Sequence, residues 1–133
     1  QWLADLGIDL IIGGHPHVVQ DYEVLTASDG RRVPVMYSLG NLISNQRWED
    51  SNGGILTTVD IDCQTHTIVD LQYIPVYVHK GKLPGEARNY YCIPTNDYLE
   101  GDLPFTLPSD SLEQDLRLFH TNVLRRIPAT PVE

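Results

Sequence analysis

The stretch that decides the fold is Asp9–Gln20, which reads DLIIGGHPHVVQ. A short apolar run over residues 10–12 predicts a β-strand, and its continuous hydrophobicity favours burial on both faces. Gly13 and Gly14 end this strand and allow a sharp turn or a close approach to another group. The chain therefore enters a loop directly after a strand, which is where α/β proteins place their ligand sites.

Two histidines separated by a proline occupy that loop. Pro16 has a fixed φ and favours an extended conformation for His15. Because side chains two positions apart in an extended chain point the same way, we expect His15 and His17 to project from one side of the loop. Two neutral imidazoles aimed at one point suit a divalent metal ion or an anion. Polar loop histidines without any ligand would give the same pattern, because so short a motif often matches by chance.

The composition describes one acidic globular domain. The 133 residues suffice for a single modest core, and 41% hydrophobic residues is typical of a folded protein. The net charge of −9 disfavours nucleic acid and anionic lipid as partners. The arginine pairs at 31–32 and 125–126 are interpreted as solvated turn and helix-end residues. Cys63 and Cys92 lie in or beside predicted strands and are interpreted as unpaired thiols, with a disulfide in an oxidising compartment as the alternative.

Apolar and alternating segments predict a mostly antiparallel sheet of about five strands. Ser28–Gly30 and Gln64–Thr65 are expected to be turns of two hairpins. Pro34 places its strand at a sheet edge, or itself near the start of that strand. The lone histidines are interpreted as surface residues; they are His66, His79 and His120. The strands after the histidine loop are predicted over residues 21–26, 33–39, 54–62, 67–78 and 90–94.

The two ends of the chain carry the helical patterns. Apolar residues at helical spacing in positions 2–6, with Gly7 as a C-terminal cap, predict the last turns of a helix. Residues 96–109 are interpreted as loop. Ser109 or Asp110 is expected to cap a long final helix, and the tail from Pro128 is expected to be frayed. The apolar stripe of that helix is predicted to contain Leu112, Leu116, Phe119, Val123 and Leu124.

A second polar segment follows the predicted strand that ends at Leu39. Asn41 can ligate a metal, orient a water or bind a phosphoryl oxygen, and it can equally form a turn that serves only the backbone. The next loop, residues 45–54, could overhang the site. Arg47 can bind a carboxylate or phosphate and Trp48 can cover an apolar group, so both are secondary substrate-binding candidates. A solvent-exposed loop with one anchoring tryptophan is the alternative interpretation.

Two segments resemble known families. Residues 14–17 are similar to the G-H-x-H block of calcineurin-like metallophosphoesterases. The longer string GIDLIIGGHPHVVQDYEVL, followed by VPVMYSLGNLISNQ, resembles the bacterial capsule synthesis family of CapA type, in which a "GADLVIGHHPHV" segment precedes "YSLGNF". The resemblance is close over the first third of the chain, and Leu42 departs from the usual aromatic residue. This family is linked to poly-γ-glutamate.

The resemblance implies a four-layered α/β/β/α metallophosphoesterase-like sandwich. Residues 1–133 would be a single C-terminal part of that domain, since its D-x-H, G-D and G-N-H blocks lie upstream of the G-H-x-H block and none of them precedes Gly14 here. We therefore expect an α+β fold with a mostly antiparallel sheet and a C-terminal helix. His15 and His17 would be metal ligands and, with Asn41, catalytic residues. A divalent metal is expected in the full-length parent, and no tightly held metal from these residues alone.

The resemblance also implies a function in the bacterial cell envelope, outside the cytoplasm. It would be the biosynthesis or export of an anionic cell-surface polymer, by metal-dependent hydrolysis or transfer if the protein is an enzyme. Two alternatives stay open, a non-catalytic polymer-binding or assembly module on a relic phosphoesterase fold and a general metallophosphoesterase. The expected partners are the missing N-terminal half of the domain and the polymer or its precursor. Exposed sheet surface would also favour a homo-oligomer.

Overall fold

The computed structural model describes residues 1–127, and within them six strands form two three-stranded sheets. The strands are β1 (Ile11–Ile12), β2 (Tyr22–Thr26), β3 (Arg32–Met36), β4 (Gly53–Asp62), β5 (Thr67–Lys80) and β6 (Tyr90–Pro94). The helices are α1 (Trp2–Asp5), α2 (Thr95–Glu100) and α3 (Asp110–Arg126). The predicted α+β class is confirmed, whereas the strands are divided between two sheets instead of forming one. The tail from Pro128 lies outside the described residues.

The first sheet has the strand order β1-β3-β2. β1 runs parallel to β3, with Ile12 opposite Met36, and β2 runs antiparallel to β3. Gly30 has a φ of 88° in the turn between β2 and β3, as a hairpin turn requires. The prediction that β1 is buried on both faces is wrong, because β1 is an edge strand and Ile12 is 48% exposed.

Pro34 lies in the middle of the central strand β3, so its prediction as an edge or strand-start residue is wrong. β1 pairs with β3 only at Val35 and Met36. At Pro34, therefore, β3 has a strand partner on one side only. A proline, which cannot donate to the ladder, is tolerated where one side of a strand is unpaired.

The second sheet is antiparallel throughout, with the order β4-β5-β6. Asp60 pairs with Asp70 but Ile61 pairs with Ile68, so Val69 is the extra residue of a β-bulge. A bulge bends its strand and redirects the side chains beyond it.

The helix α3 packs one face on this second sheet, and Phe119 lies with its ring centroid 6.1 Å from that of Tyr77. The Ser109 side chain caps the helix by accepting from the backbone N–H of Leu112, as predicted. Leu124 is 47% exposed, so its place in the apolar stripe is wrong. The interpretation of residues 96–109 as loop is wrong at α2, because a helix of six residues is too short to show a helical period in the sequence.

Glycines bring the two sheets together next to Asn41. The backbone N–H of Asn41 donates to Gly53 O (2.9 Å), and that of Ile55 donates to Leu39 O (2.9 Å). A Cβ on Gly54 would lie 2.6 Å from Leu39 O and 2.7 Å from Asn41 O, so only glycine allows this approach. We call this contact between residues 39–41 and 53–55 the glycine crossing. It fixes Asn41 at the end of the first sheet, beside the loop that follows β1.

Candidate functional site

The side chain of Asn41 is the best-held polar group at this edge of the molecule. Asn41 is only 7% exposed, and its Nδ2 donates to Ser51 O (2.8 Å), Gln46 Oε1 (2.9 Å) and His17 O (3.1 Å). Two of these acceptors are backbone carbonyls, which cannot donate, so they fix which side of the amide carries the nitrogen. The oxygen Oδ1 therefore faces the imidazole of His17.

The imidazole of His17 is oriented by this amide. Its Nδ1 lies 2.8 Å from Asn41 Oδ1. Because an amide oxygen only accepts hydrogen bonds, the neutral ring must carry its proton on Nδ1 and its lone pair on Nε2. No described residue bonds to Nε2, and His17 is exposed. The structure thus presents one imidazole to solvent in a single tautomer, with its basic nitrogen outward.

The backbone of this loop differs from the prediction. The expected extended conformation is wrong, because φ is 111° at His15 and 62° at His17. Asn41 binds both the ring and the carbonyl oxygen of His17, and this two-point contact holds the residue in the left-handed region. Such a conformation costs on the order of 1–3 kcal/mol in a non-glycine residue and persists where the surroundings enforce it, often at functional sites.

His15 stands apart from this network. Its side chain is exposed and makes no hydrogen bond within residues 1–127. Of the two imidazoles that were expected to converge on one point, the structure therefore holds the ring of His17 by a hydrogen bond and leaves the ring of His15 without one. The prediction that His15 and His17 share a ligand stays a prediction.

Hydrogen bonds from two side chains of α3 tie the segments around the site to this helix. Arg126 donates to the Asp50 carboxylate (2.6 Å) and to Val19 O (3.2 Å), and Asn122 also donates to Asp50 (2.8 Å). The interpretation of Arg126 as a solvated helix-end residue is wrong, because it forms a partly buried salt bridge with Asp50, whose side chain is 13% exposed. The helix thereby holds both Val19, in the segment between β1 and β2, and the loop after Asn41 at Asp50.

The two secondary candidates lie on that loop without contacting the histidines. Arg47 donates to the carbonyl of Gln46 (2.6 Å) and lines a cavity of about 200 Å³ with Asp115 and Phe119 of α3. Trp48 is 57% exposed, so it is not an anchoring residue. Both stay candidates for substrate binding, and the structure joins neither to the His17–Asn41 pair.

Sequence reasoning missed two partners of Asn41. Gln46 supplies a side-chain acceptor, and Ser51, which is fully buried, supplies its backbone carbonyl. Gln46 could have been suspected, since it closes the string that carries the family resemblance. The contact of Ser51 uses only its backbone, so no residue type in the sequence could have indicated it.

His79 contradicts its interpretation as a surface residue. It lies inside β5, is 3% exposed and stacks on Tyr91, with ring centroids 6.1 Å apart. Neither ring nitrogen has a hydrogen-bond partner among the described residues. Burial, and then the charge of Arg47, lower the pKa of His79 below its ordinary value. A buried imidazole of this kind is held neutral by its surroundings.

His17 and His15 fit part of a metal site. An outward Nε2 on a ring whose Nδ1–H is already bonded is the state in which histidine binds a divalent ion. Across residues 1–127, however, no three His, Cys, Asp or Glu side chains come together to hold a metal ion.

In the same part of the chain, no helix is long and apolar enough to cross a bilayer.

Comparison with known proteins places this chain beside the bacterial capsule synthesis family. The family described as "Bacterial capsule synthesis protein PGA_cap" matches residues 1–46. The matched stretch contains His15, His17, Asn41 and Gln46. The predicted resemblance to the CapA-type family is confirmed, with partial coverage of the chain.

Two relatives were found among characterised proteins. The capsule biosynthesis protein CapA of Bacillus anthracis is 26% identical over 130 residues, which is 94% of this chain and 29% of the relative. The PGA biosynthesis protein CapA of Bacillus subtilis (strain 168) is 39% identical over 46 residues, 35% of this chain and 11% of that relative. The chain thus spans less than a third of the length of either. No solved structure matches it, so the relation to metallophosphoesterases stays a prediction.

Proposed function

We propose that this chain belongs to a protein of capsule or poly-γ-glutamate biosynthesis, in which His17 is a metal ligand positioned by Asn41. The names of the two relatives and the family that matches residues 1–46 support the biological setting. The same setting makes the bacterial cell envelope the place of action. The hydrogen bond between His17 Nδ1 and Asn41 Oδ1, at 2.8 Å, is the observation that carries the chemical proposal.

The role of Asn41 follows from what its amide already binds. Oδ1 accepts from His17, and Nδ2 has three acceptors within 3.1 Å. An amide so engaged holds its neighbours, and because Asn41 is only 7% exposed, the second lone pair of Oδ1 is largely covered. Asn41 therefore acts as a positioning residue that fixes the tautomer and the direction of His17, as outer partners of metal-binding histidines do.

His15 would be the second protein ligand that this chain contributes. A bound divalent ion would polarise a phosphoryl or carbonyl oxygen and lower the pKa of a water molecule. Two imidazoles are fewer than the three or four protein ligands of an ordinary site. The remaining ligands would come from other parts of the protein, which is why we propose the rest of the same domain as the first partner of this chain.

The proposed substrate is an anionic cell-surface polymer or its precursor. The net charge of −9 repels such a polymer on average, so binding requires local positive or hydrogen-bonding groups. Arg47 and Trp48 are proposed to contact it from the exposed loop after Asn41. The alternative function, a polymer-binding module without catalysis, would use the same contacts but would not convert the polymer.

Metal analysis of the full-length protein tests the proposal. His17→Ala should lower the bound metal per protein, and Asn41→Ala should lower the metal affinity about 10- to 100-fold. His66→Asn, which changes an exposed histidine elsewhere, should leave the metal content unchanged. Equal metal content in wild type and His17→Ala would refute the ligand assignment. Metal binding without cleavage of phosphodiester or γ-glutamyl substrates would favour the polymer-binding module.

A further inference from the structure

The positive charges of this acidic protein are unevenly distributed along the chain. The whole protein has eighteen Asp and Glu against nine Lys and Arg. Residues 71–96, which contain β6 and most of β5, have one acidic residue, Glu86, and three basic ones, Lys80, Lys82 and Arg88. The hairpin of β5 and β6 is therefore a locally positive element in a chain of net charge −9.

The hairpin brings these three basic residues to one end of the second sheet. The strands β5 and β6 pair as far as Lys80, and one position further Gly81 N–H donates to Asn89 O (2.9 Å). Lys82 and Arg88 are the next residues on the two sides of the turn, about 7 Å beyond Lys80 along the hairpin. The side chains of all three are exposed.

The turn that joins the two strands is fixed in place. Leu83 is 3% exposed and belongs to the main core, and Glu86 N–H donates to Leu83 O (3.0 Å). On the other side of the turn, the Tyr91 hydroxyl donates to Arg88 O (3.1 Å). The basic side chains therefore extend from a backbone that is held by the core and by hydrogen bonds.

None of these three basic side chains forms a salt bridge within residues 1–127. Arg31, by contrast, binds two carboxylates at 2.6 and 2.7 Å, which contradicts its interpretation as a solvated turn residue. A cation that no neighbouring carboxylate neutralises can bind an anion from outside the protein. We call the surface formed by Lys80, Lys82 and Arg88 the hairpin patch.

Asn45 connects the hairpin patch to the histidine site. Its Oδ1 accepts from Lys80 Nζ and from the Tyr90 hydroxyl (3.3 Å). An ammonium has three donors, so two N–H groups of Lys80 remain for a ligand. The next residue, Gln46, accepts from Asn41 Nδ2 (2.9 Å). Two consecutive residues thus join the patch to the amide of the histidine site.

Exposed aliphatic side chains border the patch. Leu42 is 48% exposed and Ile43 is 68% exposed. Leu42 O accepts from Cys92 Sγ (3.2 Å), and Cys92 is two positions from Tyr90 in β6, so this part of the loop lies against the same strand. Cations beside exposed aliphatic side chains suit a ligand in which carboxylates are separated by aliphatic stems.

We propose that the hairpin patch binds a flexible polyanion of this kind, with its three cations at the carboxylates and Leu42 and Ile43 along the stems. The choice of γ-linked glutamate as the polyanion rests on the proposed function, since each unit of that polymer has a carboxylate and an aliphatic stem. The patch supplies the local positive charge that such binding requires in a chain of net charge −9. It would hold one part of the polymer while another part reaches the His17 edge.

Titration of the full-length protein with an oligomer of γ-linked glutamate, followed by calorimetry, tests this inference. Lys82→Gln combined with Arg88→Gln should weaken binding about tenfold. The matched control, Arg117→Gln combined with Arg125→Gln, removes two exposed arginines from α3 and should change the affinity less than about twofold. Both double variants lose the same charge, so a difference between them reports the position of the cations and not the total charge.

Asn45→Asp tests the patch without removing a basic residue. The new carboxylate takes the place of the amide oxygen that already accepts from Lys80, so it neutralises that ammonium and should weaken binding about threefold. Added salt should weaken binding to wild type more than to the Lys82 and Arg88 double variant, because salt screens exposed charges.

The ligand supplies a test that does not depend on any variant folding. The neutral amide form of the oligomer should bind wild type about tenfold more weakly than the carboxylate form. Equal binding of the two forms, equal binding to wild type and to the Lys82 and Arg88 double variant, or no binding at millimolar concentration would each overturn the inference. Tighter binding to anionic lipid vesicles than to the oligomer would also overturn it, in favour of a membrane surface.

A third background separates this inference from the proposed function. In His17→Ala, the Lys82 and Arg88 substitutions should still weaken binding of the oligomer about tenfold, whether or not the metal content falls. Unchanged metal content in His17→Ala would refute the ligand assignment and leave the hairpin patch in place. Loss of metal in His17→Ala, with oligomer binding that ignores Lys82 and Arg88, would refute the patch alone.

Discussion

His17 and His79 are opposite kinds of histidine in one small domain. His17 is exposed, yet its ring is held by a buried amide at 2.8 Å and one nitrogen is left for solvent or a ligand. His79 is 3% exposed, and neither of its ring nitrogens has a partner among the described residues. A ring that is oriented but accessible is suited to binding. A ring that is buried and without partners contributes packing and is sensitive to protonation.

The largest expected effect on stability concerns the glycine crossing, the backbone contact that positions Asn41 next to His17. In Gly54→Ala, the new Cβ would lie within 2.9 Å of three backbone atoms of residues 39 and 41, none of which can rotate away. We expect a loss of roughly 3 kcal/mol or more in the free energy of unfolding, or no folded protein. Gly14→Ala is the matched control, because nothing lies within 4 Å of its new Cβ. Similar denaturation midpoints for the two variants would contradict the glycine crossing.

The next effect removes the amide itself. Asn41→Ala leaves the buried carbonyl of Ser51 without its donor and should cost about 2 kcal/mol in the free energy of unfolding. It also frees the imidazole of His17 to adopt either tautomer, which ring ¹⁵N chemical shifts would report. Asn96→Ala changes an exposed asparagine on α2 and should alter neither quantity. A single, unchanged tautomer in Asn41→Ala would show that something other than this amide orients the ring.

A smaller effect concerns the anchor on α3. Arg126→Gln removes the salt bridge to Asp50 and should cost about 1 kcal/mol, because the pair is only partly buried. The rate of amide hydrogen exchange should rise in residues 42–52, the loop that contains Asp50. Arg125→Gln, which changes the exposed neighbouring arginine, should leave exchange in that loop at the wild-type rate. Faster exchange in both variants would mean that helix charge, and not the salt bridge, controls the loop.

The smallest effect at neutral pH involves the buried histidine. Burial, and then Arg47, lower the pKa of His79 from its ordinary 6.5. The unfolded chain therefore binds more protons than the folded chain as the pH falls below 6.5, so the free energy of unfolding decreases in that range. His79→Leu removes this proton uptake and should flatten the dependence between about pH 7 and pH 5.

A control for the pH experiment comes from α3. Burial lowers the pKa of His120 as well, which gives a stability change of the same sign. His79→Leu should therefore remove part of the pH dependence, and a further His120→Asn substitution should remove more. If the dependence were as steep in His79→Leu as in wild type, the proton uptake would belong to other groups.

Much of the fold could be predicted because local patterns encode it. Alternation and turn residues placed the two hairpins, and the helical period with Ser109 as its cap placed α3. The failures concern residues whose environment is set from a distance. His79 stacks on Tyr91 of β6, and Arg126 forms a salt bridge with Asp50, which is 76 positions away in the sequence. Single-residue preferences, which make arginine mostly exposed and histidine intermediate in burial, contain no information about such partners.

The sequence by itself determined the local elements, the loop that places two histidines after a strand, and the likeness to capsule synthesis proteins. It did so because strand and helix periods, glycine turns and short motifs are properties of neighbouring residues. Only the tertiary structure decided that Asn41 holds His17, that His15 stands apart, and that the strands form two sheets. These features depend on hydrogen bonds and backbone contacts between segments far apart in the chain, such as the approach of Gly54 to Asn41. Such contacts form only when the whole chain packs together.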